Sequence, residues 1–191
     1  KNFTINFHHL KKKKFFLFLG RFHKKKGCEI IIESVKKLGK NFNRIVLFVG
    51  PIKSGDYENK LKKLVKYYKL NKNIIFSNAL YGDLKWGAVQ ASEGMVLASH
   101  GENFGVSLAE SLSCSRPVLT TDKVNIYREI LNSRAGLISK NNVNSFYSIL
   151  KKFNNLSKNN IKKINANSLK CFKKNFDLYL TEKSLGKFLL K

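Results

Sequence analysis

Short apolar runs alternate with longer amphipathic stretches along this chain, and that alternation restricts the fold more than any other feature. Phe15–Leu19 is an unbroken apolar run closed by Gly20, the pattern of a parallel strand buried on both faces. Cys28–Leu38 carries Ile31, Ile32, Val35 and Leu38 at helical spacing and stops at Gly39, a suitable helix C-terminus. Ile45–Val49 is a second strand, ended by Gly50 and Pro51. The stretch 57–70 repeats Leu61, Leu64, Val65 and Tyr68 on one helical face, and 73–76 is a short third strand. Further strands are expected at 95–98, 117–120 and 135–138, with helices at 84–91, 105–114 and 126–131. From Val143 onward the pattern is helical only, ending in a segment over 178–190. Strands separated by helices in this order imply right-handed crossovers, so the chain is expected to be α/β. The expected architecture is a doubly wound, Rossmann-like parallel sheet of about six strands with extra C-terminal helices.

Composition bounds the function classes. A chain of 191 residues with 43% hydrophobic and 12% aromatic residues can bury a substantial core. No apolar run approaches bilayer length, which reads as a soluble chain. Residues 1–9 lack a signal-peptide layout, and the missing initiating Met is read as the mark of a fragment. Cys28, Cys114 and Cys171 are far apart and form no C-x-x-C pair. That spacing excludes a disulfide framework, offers no structural metal cluster and fits a cytoplasmic protein with reduced thiols. The net charge of +25 is almost all lysine, with Arg only at positions 21, 44, 116, 128 and 134. Lysines dispersed along the whole chain reflect compositional bias more than a nucleic-acid footprint, because base readers favour the guanidinium fork. Nucleic acid is therefore not expected as a partner, whereas weak attraction to anionic membranes is kept as an expectation.

A doubly wound sheet binds ligands at the carboxyl ends of its strands, so the residues just after each strand matter most. After the first strand come Gly20, Arg21, Lys26 and Gly27. Glycine lets a backbone approach a ligand closely, and the two cations can converge on one diphosphate. Taken alone, this stretch is equally well a solvated loop. After the fourth strand come Glu102, Asn103, Phe104, Gly105 and Val106, leading directly into a helix. Amide groups of Phe104, Gly105 and Val106 at that helix start suit a phosphate. Glu110 follows Glu102 by eight positions, about 12 Å at the helical rise of about 1.5 Å per residue. That is the span between the two sugar rings of a nucleotide-sugar, and carboxylates accept hydrogen bonds from such hydroxyls. On spacing alone, the pair is equally a coincidence of two glutamates beside a helix.

These residues and others occur together and in order. Glu102 and Glu110 match an E-x7-E motif, and Gly20, Arg21, Lys26 and Gly27 match G-R-x4-K-G. Glu110, Cys114, Pro117 and Val118 match the phrase E-A-L-A-C-G-x-P-V. Asp83 to Trp86, Asn125 to Ile130 and Ala135 to Leu137 resemble connecting segments of the same family. Over about residues 15–140 the chain resembles the large retaining glycosyltransferase family four, also called glycosyl transferases group 1. The resemblance implies half of a GT-B architecture. By it, Arg21 and Lys26 would stabilise the donor diphosphate as leaving group, and Glu102 would hold hydroxyls of the transferred sugar. Glu110 would take the ribose, while Gly20, Asn103, Phe104, Gly105 and Val106 would line the donor. Arg21, Lys26 and Glu102 are thus the expected catalytic residues, with no metal and no cofactor beyond the nucleotide-sugar substrate. The base would lie near 50–54 and 77–81.

The family's acceptor site lies in an N-terminal domain for which this chain has no room. Residues 1–14 are accordingly expected to be a connector, 15–175 the nucleotide-sugar-binding domain and 176–191 a C-terminal helix. Ser115 replaces a usual glycine, Ala98 a common proline, and Ser92-Glu93 the usual Ala-Asp. His100 is given no ligand role, and His8, His9 and His23 have no evident partners. The expected function is hexosyl transfer, with retention, from a nucleotide-sugar to a saccharide or lipid-linked acceptor at the cytoplasmic membrane face. The alternatives are a non-catalytic donor-binding or truncated module and, ranked last, a basic nucleic-acid-binding protein.

Overall fold

A computed structural model of the chain describes residues 3, 6–11, 13–51 and 56–177. The closing helical segment expected over 178–190 lies outside them, as do the side chain of His9 and the loop 52–55. The six strands are β1 (Phe15–Leu19), β2 (Ile45–Val49), β3 (Ile74–Ser77), β4 (Gly94–Leu97), β5 (Val118–Thr121) and β6 (Gly136–Ser139). Between and after them run α1 (Cys28–Leu38), α2 (Asp56–Tyr67), α3 (Gly82–Ala91), α4 (Val106–Ser113), α5 (Tyr127–Asn132), α6 (Val143–Asn154) and α7 (Lys158–Asn175). All pairings are parallel, in the order β3-β2-β1-β4-β5-β6. The doubly wound sheet expected from the alternation is therefore observed, with α6 and α7 as the additional C-terminal helices.

The central strands have no polar side because both faces are covered. Phe15, Phe16, Leu17 and Phe18 are buried, as is every residue of β2, whose register sets Phe16 beside Val46 and Phe18 beside Phe48. Helix α1 seats Ile31, Ile32 and Val35 on this sheet and ends at Gly39, whose φ of 54° only glycine adopts without strain. Asn142 and Ser157 cap the N-termini of α6 and α7 by accepting from the amides of Ser145 and Asn160. Phe3 and Leu10, within the segment read as a connector, are buried in the same core, with the Phe3 ring stacked on Phe7 at 4.7 Å.

Arg44 anchors the amino end of the sheet. It is 4% exposed, donates from Nε to Glu93 at 2.5 Å and from its guanidinium to Asn154, and lies over the rings of Phe16 and Phe153. A buried guanidinium without these acceptors costs several kcal/mol, on the order of 3–5 for one lost partner. Glu93 thus has a structural partner at the end of the sheet away from the strand termini that bind ligands. The preceding Ser92 is buried and donates to the Val89 carbonyl at 2.8 Å.

Candidate functional site

Strand order reverses between β1 and β4, which lie side by side, and that switch point opens a crevice at the carboxyl ends of the strands. A cavity of about 690 Å³ occupies it. Its walls include Gly20, Arg21 and Lys26 on one side, and Glu102, Asn103, Phe104, Gly105, Val106 and Glu110 on the other, while Gly27 stands behind the wall. The tertiary fold brings all nine together.

The β1 side is built by a tight turn that the sequence does not reveal. After Arg21 the chain makes a 3-10 turn over Lys24–Lys26, and Gly27 follows in the left-handed region at φ 63°. His23 acquires a partner here, contrary to expectation: its Nδ1 accepts the Lys25 amide at 3.1 Å and caps the turn. The turn is fastened to the end of β4. The His100 amide donates to the Lys25 carbonyl at 2.8 Å, and a Cβ on Gly27 would lie 2.0 Å from the Ala98 carbonyl oxygen. The His100 side chain is exposed and takes no part in this.

The turn sets Lys26 Nζ 2.6 Å from Glu102 Oε1, both side chains half-buried. The Ser99 hydroxyl lies 2.7 Å from the Lys25 carbonyl and 2.9 Å from Glu102 Oε1, so its single proton serves one of them at a time. Glu102 is also held through its backbone, accepting the Asn125 amide and donating to the Lys123 carbonyl, each at 3.0 Å, as a parallel bridge to Val124. Thr121 and Asn141 bind the Ala98 and Ser99 carbonyls beneath this loop. None of these supports carries a local sequence signal, because each joins segments that meet only in the folded sheet.

Helix α4 begins one residue later than the periodicity suggests. Gly105 has φ 79° and stands outside the helix as its cap, with Val124 Cγ1 3.0 Å from where a Cβ would be. The free amides of the first turn therefore begin with Val106 and continue to Ser107, a cavity residue the sequence reading omits. The Phe104 and Gly105 amides precede the helix. The Phe104 ring leaves the loop to meet Phe176 edge-on at 5.6 Å, tying the loop to the end of α7.

Glu110, on the next turn of α4, has a partner that sequence inspection missed. Lys85 Nζ on α3 lies 2.7 Å from Glu110 Oε1, with the Trp86 ring centroid 4.4 Å away. Each glutamate of the E-x7-E pair is thus matched to a lysine. Arg21 and Lys25 are exposed cations with no ion-pair partner among the described residues. Gly50, Pro51, Ala79, Leu80 and Tyr81 form the far wall, where the base was expected, and Tyr81 is 78% exposed. Together the walls can receive an elongated anionic ligand: charge excess near β1, a helix start beneath it, and a carboxylate toward each end. Among the described residues, no group of three or more His, Cys, Asp or Glu side chains is placed to hold a metal ion.

Comparison with known proteins agrees with this geometry. The sequence model of glycosyl transferases group 1 matches residues 2–170. A Campylobacter jejuni protein, N-acetylgalactosamine-N,N'-diacetylbacillosaminyl-diphospho-undecaprenol 4-alpha-N-acetylgalactosaminyltransferase, is 29% identical over 94% of this chain and 47% of its own length. The chain spans less than half of the curated relatives it matches. Among solved structures, the C-terminal domain of a glycosyl transferase group 1 family protein (LpcC) from Francisella tularensis has a TM-score of 0.78 at 21% identity. It covers 92% of this chain and 93% of that one. Anabaena Alr3699/HepE in complex with UDP gives 0.83 at 15% identity, over 98% of this chain and 52% of that one. At such identities the structures speak for the fold, while the match over 2–170 carries the family. This chain belongs to glycosyl transferases group 1.

Proposed function

We propose that this chain is the nucleotide-sugar-binding half of a retaining GT-B glycosyltransferase of family four, acting with an N-terminal acceptor domain. The observation that carries the reading is the single crevice in which Arg21, Lys26, Glu102 and Glu110 meet the first turn of α4. The cationic side chains of Arg21, Lys25, Lys26 and Lys85 outnumber the two carboxylates there by two, which suits a diphosphate. Arg21 and Lys26 neutralise the diphosphate as it leaves, and stabilising developing charge in this way is normally the largest catalytic contribution. Glu102 takes hydroxyls of the transferred sugar, Glu110 takes the ribose, and main-chain groups of the loop, with Gly20, Asn103, Phe104, Gly105 and Val106, line the donor. The two glutamates work on opposite ends of one donor, so they are not an acid-base pair across a single bond of the glycosidase kind. The chemistry asks for no cofactor beyond the nucleotide-sugar and for no metal.

The near-complete overlap with the LpcC C-terminal domain supports the assignment of the donor half, and the UDP complex of a similar fold supports a nucleotide in the crevice. The activity for which the Campylobacter relative is named, on a diphospho-undecaprenol acceptor, supports a saccharide or lipid-linked acceptor at a membrane face. Among the described residues no helix is long and apolar enough to cross a membrane, so contact with an anionic bilayer would be peripheral. Isothermal titration with UDP, GDP and ADP tests the site. One of them binds saturably, and Glu110→Ala and Lys26→Ala each abolish that binding; unchanged affinity in both variants would sink the assignment. Transfer assays with and without a supplied acceptor domain separate a working donor half from a module that only binds.

A further inference from the structure

Lys85 lies in the connecting segment Asp83 to Trp86, outside the motifs that placed the other cleft residues, and its ammonium has two partners. Its ammonium is fixed from two sides, by Glu110 Oε1 at 2.7 Å and by the Trp86 indole at 4.4 Å. Both Lys85 and Glu110 line the cavity and are about a quarter exposed, at 26% and 24%. The pair spans two helices, α3 and α4, so it also sets how the α3 wall stands against the α4 wall. Only Oε1 of Glu110 is engaged; Oε2 has no protein partner among the described residues. A glutamate free to sample its rotamers loses side-chain entropy when a ligand fixes it. One already held in place loses less on binding.

We propose that Lys85 is a positioning residue for donor recognition: it holds Glu110 by one carboxylate oxygen so that the other accepts the ribose hydroxyls. The proposal rests on the reading of the crevice as a nucleotide-sugar site. It makes a demand beyond charge, because the benefit of Lys85 is delivered through the ribose and is lost with a ligand that lacks the hydroxyls. A lysine that merely attracted phosphate would favour ribose and dideoxyribose ligands alike.

The test titrates the full chain with UDP, GDP and ADP, then with the 2′,3′-dideoxy form of whichever binds best. Melting temperatures of all variants establish that they fold. Lys85→Gln is expected to weaken the ribonucleotide about tenfold while changing the dideoxy ligand less than about threefold, so discrimination between them shrinks. Lys85→Arg, which keeps the ion pair, is expected to restore most of that discrimination, and Lys85→Gln is expected to have little further effect in a Glu110→Gln background. Equal losses for both ligands, or an unchanged ribonucleotide affinity, would overturn the role of Lys85 and leave the donor site standing. If the unaltered chain binds none of the three diphosphates, the donor reading falls and this proposal with it.

Discussion

Lys26 and Glu102 are 76 positions apart, yet Nζ and Oε1 lie 2.6 Å from each other across the mouth of the crevice. An exposed pair of this kind contributes about 0–1 kcal/mol. This one is sheltered, 23% and 16% exposed, and is further supported by the Ser99 hydroxyl. The groups proposed for diphosphate and sugar thus satisfy each other. On the proposed reading, a bound donor would redirect them, the lysine turning to phosphate and the carboxylate to hydroxyls.

That division of labour gives the first prediction. Glu102→Gln should leave affinity for the nucleoside diphosphate within about threefold but weaken the intact nucleotide-sugar about tenfold or more, a difference read directly by calorimetry. In the assembled transferase, Lys26→Ala should lower the initial rate of sugar transfer on the order of 10²–10³-fold, the usual cost of removing one group that stabilises developing charge.

Gly27 offers a test of the turn that carries Lys26. With φ at 63° and the Ala98 carbonyl oxygen 2.0 Å from any added Cβ, Gly27→Ala has to push apart the end of β4 and the 24–27 turn. A loss of about 2–4 kcal/mol is expected, combining left-handed strain with the steric clash. Urea unfolding measures it, and nucleotide binding should weaken in the same variant because both walls of the site move.

Ser115 stands in the left-handed region at φ 57°, just past the end of α4, where the family motif has glycine. Helices commonly end on such a residue, and only glycine adopts it freely. Ser115→Gly should relieve about 1–2 kcal/mol of strain against a larger entropy loss for glycine on folding. The net expectation is a gain of about 1 kcal/mol or less in the unfolding free energy, with nucleotide affinity unchanged because Ser115 is not among the cavity residues.

The fold should lose stability in alkali. Burial pushes the Cys28 thiol well above its ordinary range, and the neighbouring Glu29 charge adds to it. Burial, together with a hydrogen bond donated to Glu29, does the same for the Tyr57 hydroxyl. Both groups stay protonated when folded but ionise in the unfolded chain near pH 8.5 and 10. Unfolding then releases protons, so their contribution is complete below about pH 8 and declines as pH rises beyond it. Urea midpoints measured from pH 7 to 10.5 should fall, and a Cys28→Ser, Tyr57→Phe double variant should flatten the decline. In the native protein iodoacetamide should spare Cys28, which is fully buried.

What the sequence determined by itself is whatever is written within a dozen neighbouring residues. Five apolar residues in a row at Phe15–Leu19, Ile31, Ile32 and Val35 at helical spacing, and Gly39 after Leu38 give the strands, the helices and their alternation. The two motif clusters were legible because strand ends and helix starts put them on one edge of any doubly wound sheet. The tertiary structure alone decided how those residues are held. Lys85 against Glu110, Arg44 against Glu93, Ser99 beneath Glu102 and Phe104 against Phe176 join positions on different elements. It also decided that α4 starts at Val106, because Gly105 takes a left-handed turn against Val124. Periodicity records which face of an element is apolar. The pairing of charges depends on which elements become neighbours, and in a sheet ordered 3-2-1-4-5-6 those neighbours are distant in the chain.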